Sequence, residues 1–228
     1  MVALAKEMIQ EGKQRGWLLE PEAKELCRNY GLAVGDWDVV KTPEEAAASG
    51  DKFGYPLAMK IVSPDVIHKS DVGGVILNIK NQQEAKDAFS RIEEIASKIG
   101  CRLDGALVEE MAPPGVETII GAKRDPQFGP VIMFGLGGIF VEVFKDISFR
   151  VAPITREDAM DMVSELKAYT ILKGIRGKRP SDIDAIIDAL LKVSSMMTEL
   201  GEIKELDLNP VMAYEKGYRI VDARVILR

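Results

Sequence analysis

The chain reads as an α+β fold of two lobes, and three observations predict it. Its N-terminal half interleaves helical and strand-like patterns. From Ala106 onward, short alternating segments follow one another between Pro, Gly and Asp turns, the spacing of an antiparallel sheet. Two helical stretches and two closing strands then complete the second half. With 228 residues there is enough chain to bury a core in one large domain or two small lobes.

Taken in order, residues 3–14 read as a helix. Residues 20–30 follow as a second, with Pro21 near its start and Gly31 as its stop. Residues 32–41 alternate like a strand. Thr42 and Glu45 stand at capping-box spacing and open another helix at Pro43. Strands at 57–62 and 75–80 flank a polar loop, and 82–98 is an amphipathic helix. Strands are then expected at 106–111, 117–120, 131–134, 139–144 and 148–152, and helices at 155–168 and 181–200. Two strands joined near Glu215–Gly217 end the chain. The simplest partition puts a hinge near Glu109, with an N-terminal lobe over 16–108 and a C-terminal lobe over 109–228. No internal repeat, low-complexity tract or linker interrupts them.

Composition excludes several classes. A net charge of -6 without a basic stripe argues against a nucleic-acid surface. Cys27 and Cys101 form neither a CxxC motif nor a disulfide framework, which makes a reducing cytoplasm the default expectation. Lys6 and Glu7 stand where a signal peptide would be apolar. The longest apolar run, 130–144, is too short for a membrane span, is broken by glycines and contains Glu142. A soluble intracellular protein is expected.

The most informative stretch is the loop at 63–74, SPDVIHKSDVGG, which carries the only histidine, His68, and ends on Gly73 and Gly74. A strand, a glycine-ended loop and a second strand can cradle phosphates with backbone N–H groups. An imidazole there adds a nucleophile able to take and hold a phosphoryl group. Composition alone favours an ordinary surface histidine. The loop's length argues the other way, since long unpaired connections are usually functional or disordered. Fully extended, half of it would reach roughly 20 Å at ~3.3–3.6 Å per residue, so His68 on such an arm could visit two sites.

Lys60 lies within the apolar strand before this loop. It is either a snorkelling lysine on an outer sheet face or a point charge for nucleotide phosphates. Arg150 permits the same two readings. Glu109 and Glu110 point to opposite faces of their strand, so at most one lines a cleft. The glycines between 135 and 138 are more often a tight turn than a phosphate loop. Near the C-terminus, Glu205, Asp207 and Asn209 share one strand face. A turn near Glu215–Lys216 would set Asn209 opposite or beside Asp222. Such oxygen ligands suit Mg²⁺, while a solvated strand face is the plain alternative. Neighbouring aspartates would repel without a cation. The ten methionines read as core filler.

Together, residues 57–60, the His68 loop, 108–110, 116–121 and 207–210 resemble an ATP-grasp domain, here spanning 1–228 with the nucleotide in the cleft between lobes. More narrowly, the chain is similar to β subunits of ADP-forming acyl-CoA (acetyl-CoA) synthetases, relatives of the succinyl-CoA synthetase β subunit. Residues 61–75 carry most of that likeness, because the succinyl branch has a glycine-rich loop there without the histidine.

The resemblance implies roles. Lys60 would contact the α/β phosphates of ATP or ADP, with Gly73 and Gly74 at the loop's hinge. Glu109 and Glu110 would lie in the segment against the adenine, and Glu117 would reach the ribose. Asn209 and Asp222 would bind Mg²⁺ with Asp207 close by, and Arg150 would be a further phosphate contact. His68 would be a phosphohistidine, fed by a second one on a separate α subunit carrying the CoA-binding domain, in an α2β2 assembly. The implied reaction is acyl-CoA + ADP + phosphate ⇌ acid + ATP + CoA. Nothing in these residues looks like the CoA-binding lobe, so only the nucleotide half is expected here. An ATP-grasp carboxylate ligase working through an acyl-phosphate would not need His68. Neither would a non-catalytic nucleotide-binding module.

Overall fold

A computed structural model of the chain describes residues 2–138, 141, 143–175 and 179–228. They divide into two compact units: one formed by 2–34 with the described residues of 114–228, the other by 35–113. The elements in chain order are α1 (Val2–Lys13), β1 (Trp17–Leu18), α2 (Glu20–Asn29), β2 (Trp37–Val40), α3 (Pro43–Phe53), β3 (Leu57–Val62), β4 (Val75–Ile79) and α4 (Gln82–Ile99). They continue with β5 (Gly105–Glu110), β6 (Val116–Asp125), β7 (Gly129–Leu136), β8 (Ile147–Val151) and α5 (Arg156–Ser164). A 3₁₀ turn (Tyr169–Ile171), α6 (Ile183–Glu199), β9 (Ile203–Ala213), β10 (Tyr218–Ile220) and β11 (Ala223–Leu227) complete the chain.

The smaller unit is a four-stranded antiparallel sheet in the order β2-β5-β3-β4. Leu57, Met59, Ile61, Ala106 and Val108 face α3 and α4, whose Ala46, Phe89 and Ile92 close the core. Both helices start as their sequences require. The Thr42 hydroxyl accepts the Glu45 N–H, and the Glu45 carboxylate in turn accepts the Lys41 N–H. Asn81 caps α4 through the Glu84 N–H at 2.9 Å.

In the larger unit the described strands form a seven-stranded antiparallel sheet, ordered β1-β11-β9-β6-β7-β8, with β10 also on β9. Alternate residues of β6, β7, β9 and β11, among them Ala122, Ile132, Leu206 and Val225, enter one core with α1, α2, α5 and α6. Arg124 reaches from β6 to the carbonyls of Leu200 and Ile203, satisfying acceptors just past the end of α6.

Several expectations change. The strand expected over 32–41 is confined to Trp37–Val40, and the expected closing pair is three strands, β9 to β11. The helix expected over 155–168 stops at Ser164. Of the strand expected over 139–144, residues 139, 140 and 142 lie outside the described residues, while Val143 and Phe144 lie in a turn. The division of the chain also falls elsewhere than at Glu109. That residue sits within β5, an interior strand of the smaller unit, and the first 34 residues pack with the larger one. Pairing of β1 with β11 across the length of the chain draws them there, a long-range contact that local pattern does not encode.

Candidate functional site

Strand β3 is buried along its whole length, and Lys60 is no exception. Lys60 lies opposite Leu107 and Glu109 opposite Ala58, so the two charged residues are diagonal neighbours on one face of adjacent strands. The Lys60 Nζ stands 2.8 Å from the Glu109 Oε1, and the two side chains are 4% and 3% exposed. This face is turned away from the core that β3 and β5 form with α3 and α4. A snorkelling lysine is therefore ruled out. Glu110, one residue on and on the opposite face, is exposed at the end of its strand.

The loop between β3 and β4 is a pair of turns rather than an extended arm. At its start the Ser63 hydroxyl accepts the Asp65 N–H at 3.1 Å, and the Asp65 carboxylate accepts the Arg102 N–H at 2.8 Å. At its end Gly73 N–H bonds the Ser70 carbonyl and Gly74 N–H bonds the Lys69 carbonyl, at 3.1 and 2.8 Å. Gly73 has φ +72°, a conformation that favours glycine. A Cβ on Gly74 would meet the Ile61 side chain at 2.5 Å. Both glycines thus close the turn against β3, and His68 stands exposed between the two tied ends.

In the larger unit Glu205, Asp207 and Asn209 project from the face of β9 opposite the buried Leu206 and Leu208. The return of the chain brings Asp222 beside Asn209, whose N–H bonds the Asp222 carbonyl at 3.3 Å. The register between β6 and β9 shifts here, Thr118 facing Val211 and Ile120 facing Leu208, so that Asn209 and Pro210 lie opposite Ile119 alone. Such a bulge re-aims side chains, and it lets Leu208 and Val211 both enter the core while Asn209 stays exposed.

Asp207 does not meet its neighbours as an uncompensated carboxylate. Arg224, directly opposite it on β11, places its guanidinium 3.3 Å from Asp207 Oδ2 and 3.1 Å from Glu205 Oε1. Sequence reading missed this cation, although the pairing that sets Asn209 against Asp222 also sets Asp207 against Arg224. Among the described residues no three His, Cys, Asp or Glu side chains cluster as metal ligands. A divalent ion here would draw on the Asn209 amide oxygen and the Asp222 carboxylate, with water or phosphate completing its shell. That donor set fits Mg²⁺, which keeps much of its shell as water and phosphate.

Arg150 is part-buried on β8. It lies opposite Ile132, a core residue, so it belongs to the helix-bearing face of the sheet, whereas Phe149, opposite Met133, is on the other face with Asp207. Its guanidinium makes two bonds to Glu165, at 2.9 and 3.0 Å, which raise its pKa above the ordinary arginine value. Its partner is the carboxylate of Glu165, just past the end of α5. Glu117 is exposed on β6 opposite Met212, and Gly137 N–H bonds its carbonyl at 2.8 Å. Gly135 belongs to β7, paired with Ile119 and Ile147, and Gly137 just past its end is tied to β6.

A model of the ATP-grasp domain family matches residues 8–227. The chain is 52% identical over 229 residues to the β subunit of acetate–CoA ligase [ADP-forming] I of Pyrococcus furiosus, covering 99% of each. It is 46% identical over 225 residues to acetate–CoA ligase [ADP-forming] I of Archaeoglobus fulgidus, covering 98% of this chain but 33% of that longer one. Its fold matches dinucleotide-forming acetyl-coenzyme A synthetase 1 of Ca. Korarchaeum cryptofilum in complex with coenzyme A, Ca-AMPCP and HgCl⁺, with a TM-score of 0.95, 49% identity and coverage of 98% and 100%. The selenomethionine form of that enzyme, with coenzyme A and Mg-AMPPCP, has its phosphohistidine segment pointing towards the nucleotide binding site, and matches at a TM-score of 0.87 and 48% identity, covering 98% and 100%. No helix among the described residues is long and apolar enough to cross a membrane. With its buried Lys60, its histidine-bearing loop and its Asn209–Asp222 pairing, the chain belongs to the ATP-grasp family, within the group of ADP-forming acetate–CoA ligase β subunits.

Proposed function

We propose that this chain is the nucleotide-binding β subunit of an ADP-forming acyl-CoA synthetase, an acid–thiol ligase, and that it moves a phosphoryl group between a phosphohistidine and ADP. The observation that carries the reading is the exposed His68 on a loop tied at both ends and leading out of the strand that holds Lys60. A binding module or an acyl-phosphate ligase has no use for an imidazole so displayed. An α subunit supplies the CoA and acyl chemistry. The Archaeoglobus relative, about three times as long as the stretch matched here, is the natural precedent for the two halves working together. We place the assembly in the cytoplasm as α2β2.

On this chain the step is an N–P to O–P exchange. The phosphoryl group leaves the His68 imidazole and bonds a terminal phosphate oxygen of ADP, freeing the imidazole as ATP forms. Such transfers need positioning and charge compensation more than covalent work from the protein. Lys60 supplies a fixed cation for the α/β phosphates, and the N–H groups of the loop add partial charge. Asn209 and Asp222 hold Mg²⁺, which neutralises charge on the phosphates when bound. Asp207, already balanced by Arg224, stands beside it. Glu117 reaches the ribose, and the 108–110 segment borders the adenine through its backbone. Because the loop is closed into turns, the partner's segment comes to His68 more than His68 travels.

Radiolabelled ATP with Mg²⁺ tests this. Wild-type chain should acquire acid-labile, base-stable label in the presence of its α subunit, and His68→Ala should not. Nucleotide binding without label under every condition, correct partner included, would sink the relay.

A further inference from the structure

A buried ion pair on a strand is a poor way to stabilise a sheet. Removing two charges from water costs several kcal/mol per ion, and well-packed apolar residues of similar volume often do as well or better. Yet β3 and β5 place an ammonium and a carboxylate 2.8 Å apart, both almost wholly buried, on the face away from the unit's own hydrophobic core. On that face the neighbours Ala58, Val62 and Leu107 are apolar. An apolar surround makes a charge on either residue hard to keep without an opposite charge nearby.

We propose that Glu109 sets the affinity of Lys60 for the nucleotide: its carboxylate holds the ammonium in the nucleotide-free chain and competes with the incoming phosphates for it. This rests on the reading of Lys60 as a phosphate contact. A lysine ammonium carries three donors on a compact head, and the Glu109 Oε1 stands 2.8 Å from it. The carboxylate is also a like charge beside any phosphate that Lys60 receives. Its presence therefore weakens binding of the phosphate chain while doing nothing to the nucleoside. A ligand held only by Lys60 loses this competition, whereas one anchored elsewhere as well, by base, ribose and metal, wins it. The carboxylate of Glu109 thereby acts through Lys60 and not on the adenine.

The experiment measures ADP and adenosine binding to the intact chain with Mg²⁺, by displacement of a fluorescent ATP analogue, in wild type and in the variants that follow. Glu109→Gln should lower the melting temperature of the nucleotide-free chain yet bind ADP about tenfold more tightly, with adenosine unchanged. Lys60→Met should weaken ADP, and the double variant should match Lys60→Met, since the gain from removing the carboxylate needs the ammonium. Glu109→Asp, which withdraws the charge by one methylene, should move ADP the same way by less, and serves if the glutamine variant does not fold. ADP unchanged or weakened by Glu109→Gln, with Lys60→Met still defective, overturns the competition and leaves Lys60 as a phosphate contact. ADP unaffected by Lys60→Met overturns the reading of Lys60 itself.

Discussion

The two units each carry a cation between strands, and they treat it in opposite ways. In the smaller unit Lys60 and Glu109 are 4% and 3% exposed, within a strand pair that admits almost no water. In the larger unit Arg224 is 26% exposed and is shared between Glu205 at 36% and Asp207 at 31%. The first arrangement is sensitive to every change, because either partner left alone is a buried charge. The second is screened, so its worth lies in the field it sets for neighbours more than in stability. Burial therefore predicts where substitutions reveal themselves: in folding as well as in binding for the first pair, in ligand binding with little change in stability for the second.

The largest effect belongs to Lys60→Met. It leaves the Glu109 carboxylate buried without that ammonium, at a cost of about 3–5 kcal/mol of unfolding free energy. Adding Glu109→Gln should recover most of the loss, because the double variant buries no charge. Denaturant unfolding of the two variants and wild type decides it. A Lys60→Met loss below about 1 kcal/mol would mean that the pair is effectively solvated, and the contrast between the units would collapse.

Arg224→Gln should behave the other way. Its stability change should stay within about 1 kcal/mol, the range of part-exposed ion pairs. The binding effect should be plain, since Asp207 lies one alternation along β9 from Asn209 and loses its compensating cation. With more negative charge beside Asn209 and Asp222, the Mg²⁺ concentration for half-maximal ADP binding should fall, by about threefold in a well-screened setting. A Mg²⁺ titration followed by ADP binding reads this. An unchanged midpoint would reduce Arg224, Glu205 and Asp207 to a structural cluster.

What the sequence disclosed follows the same division between near and far. The Asn209–Asp222 juxtaposition was legible because a hairpin is local, and one turn position fixes every pair along it. The same arithmetic contained Arg224 against Asp207, and only the expectation of repelling aspartates hid it. Lys60 was legible as a charge in an apolar strand, but its partner was not. Glu109 lies in a strand reached only after α4, and the register of β3 on β5 is a long-range fact. The placement of the first 34 residues on the larger unit is of the same kind. The bulge opposite Ile119 was also invisible, because alternation along 205–213 reads as a regular strand until β6 supplies the register.

Arg150 gives the smallest effect and the sharpest test of reading a face from register. Strand alternation alone leaves its direction open. Pairing with Ile132 assigns it to the helix-bearing face, and the two bonds to Glu165 give it a partner there. The pair is 28% and 44% exposed, so Arg150→Gln should cost about 0.2–1 kcal/mol of stability. ADP affinity and its Mg²⁺ dependence should not change. Glu165→Gln should cost about as much, since both substitutions break the same contact. A large loss of ADP affinity in Arg150→Gln but not in Glu165→Gln would instead make the arginine a phosphate ligand. It would also show that strand register is no guide to which cations this sheet offers the nucleotide.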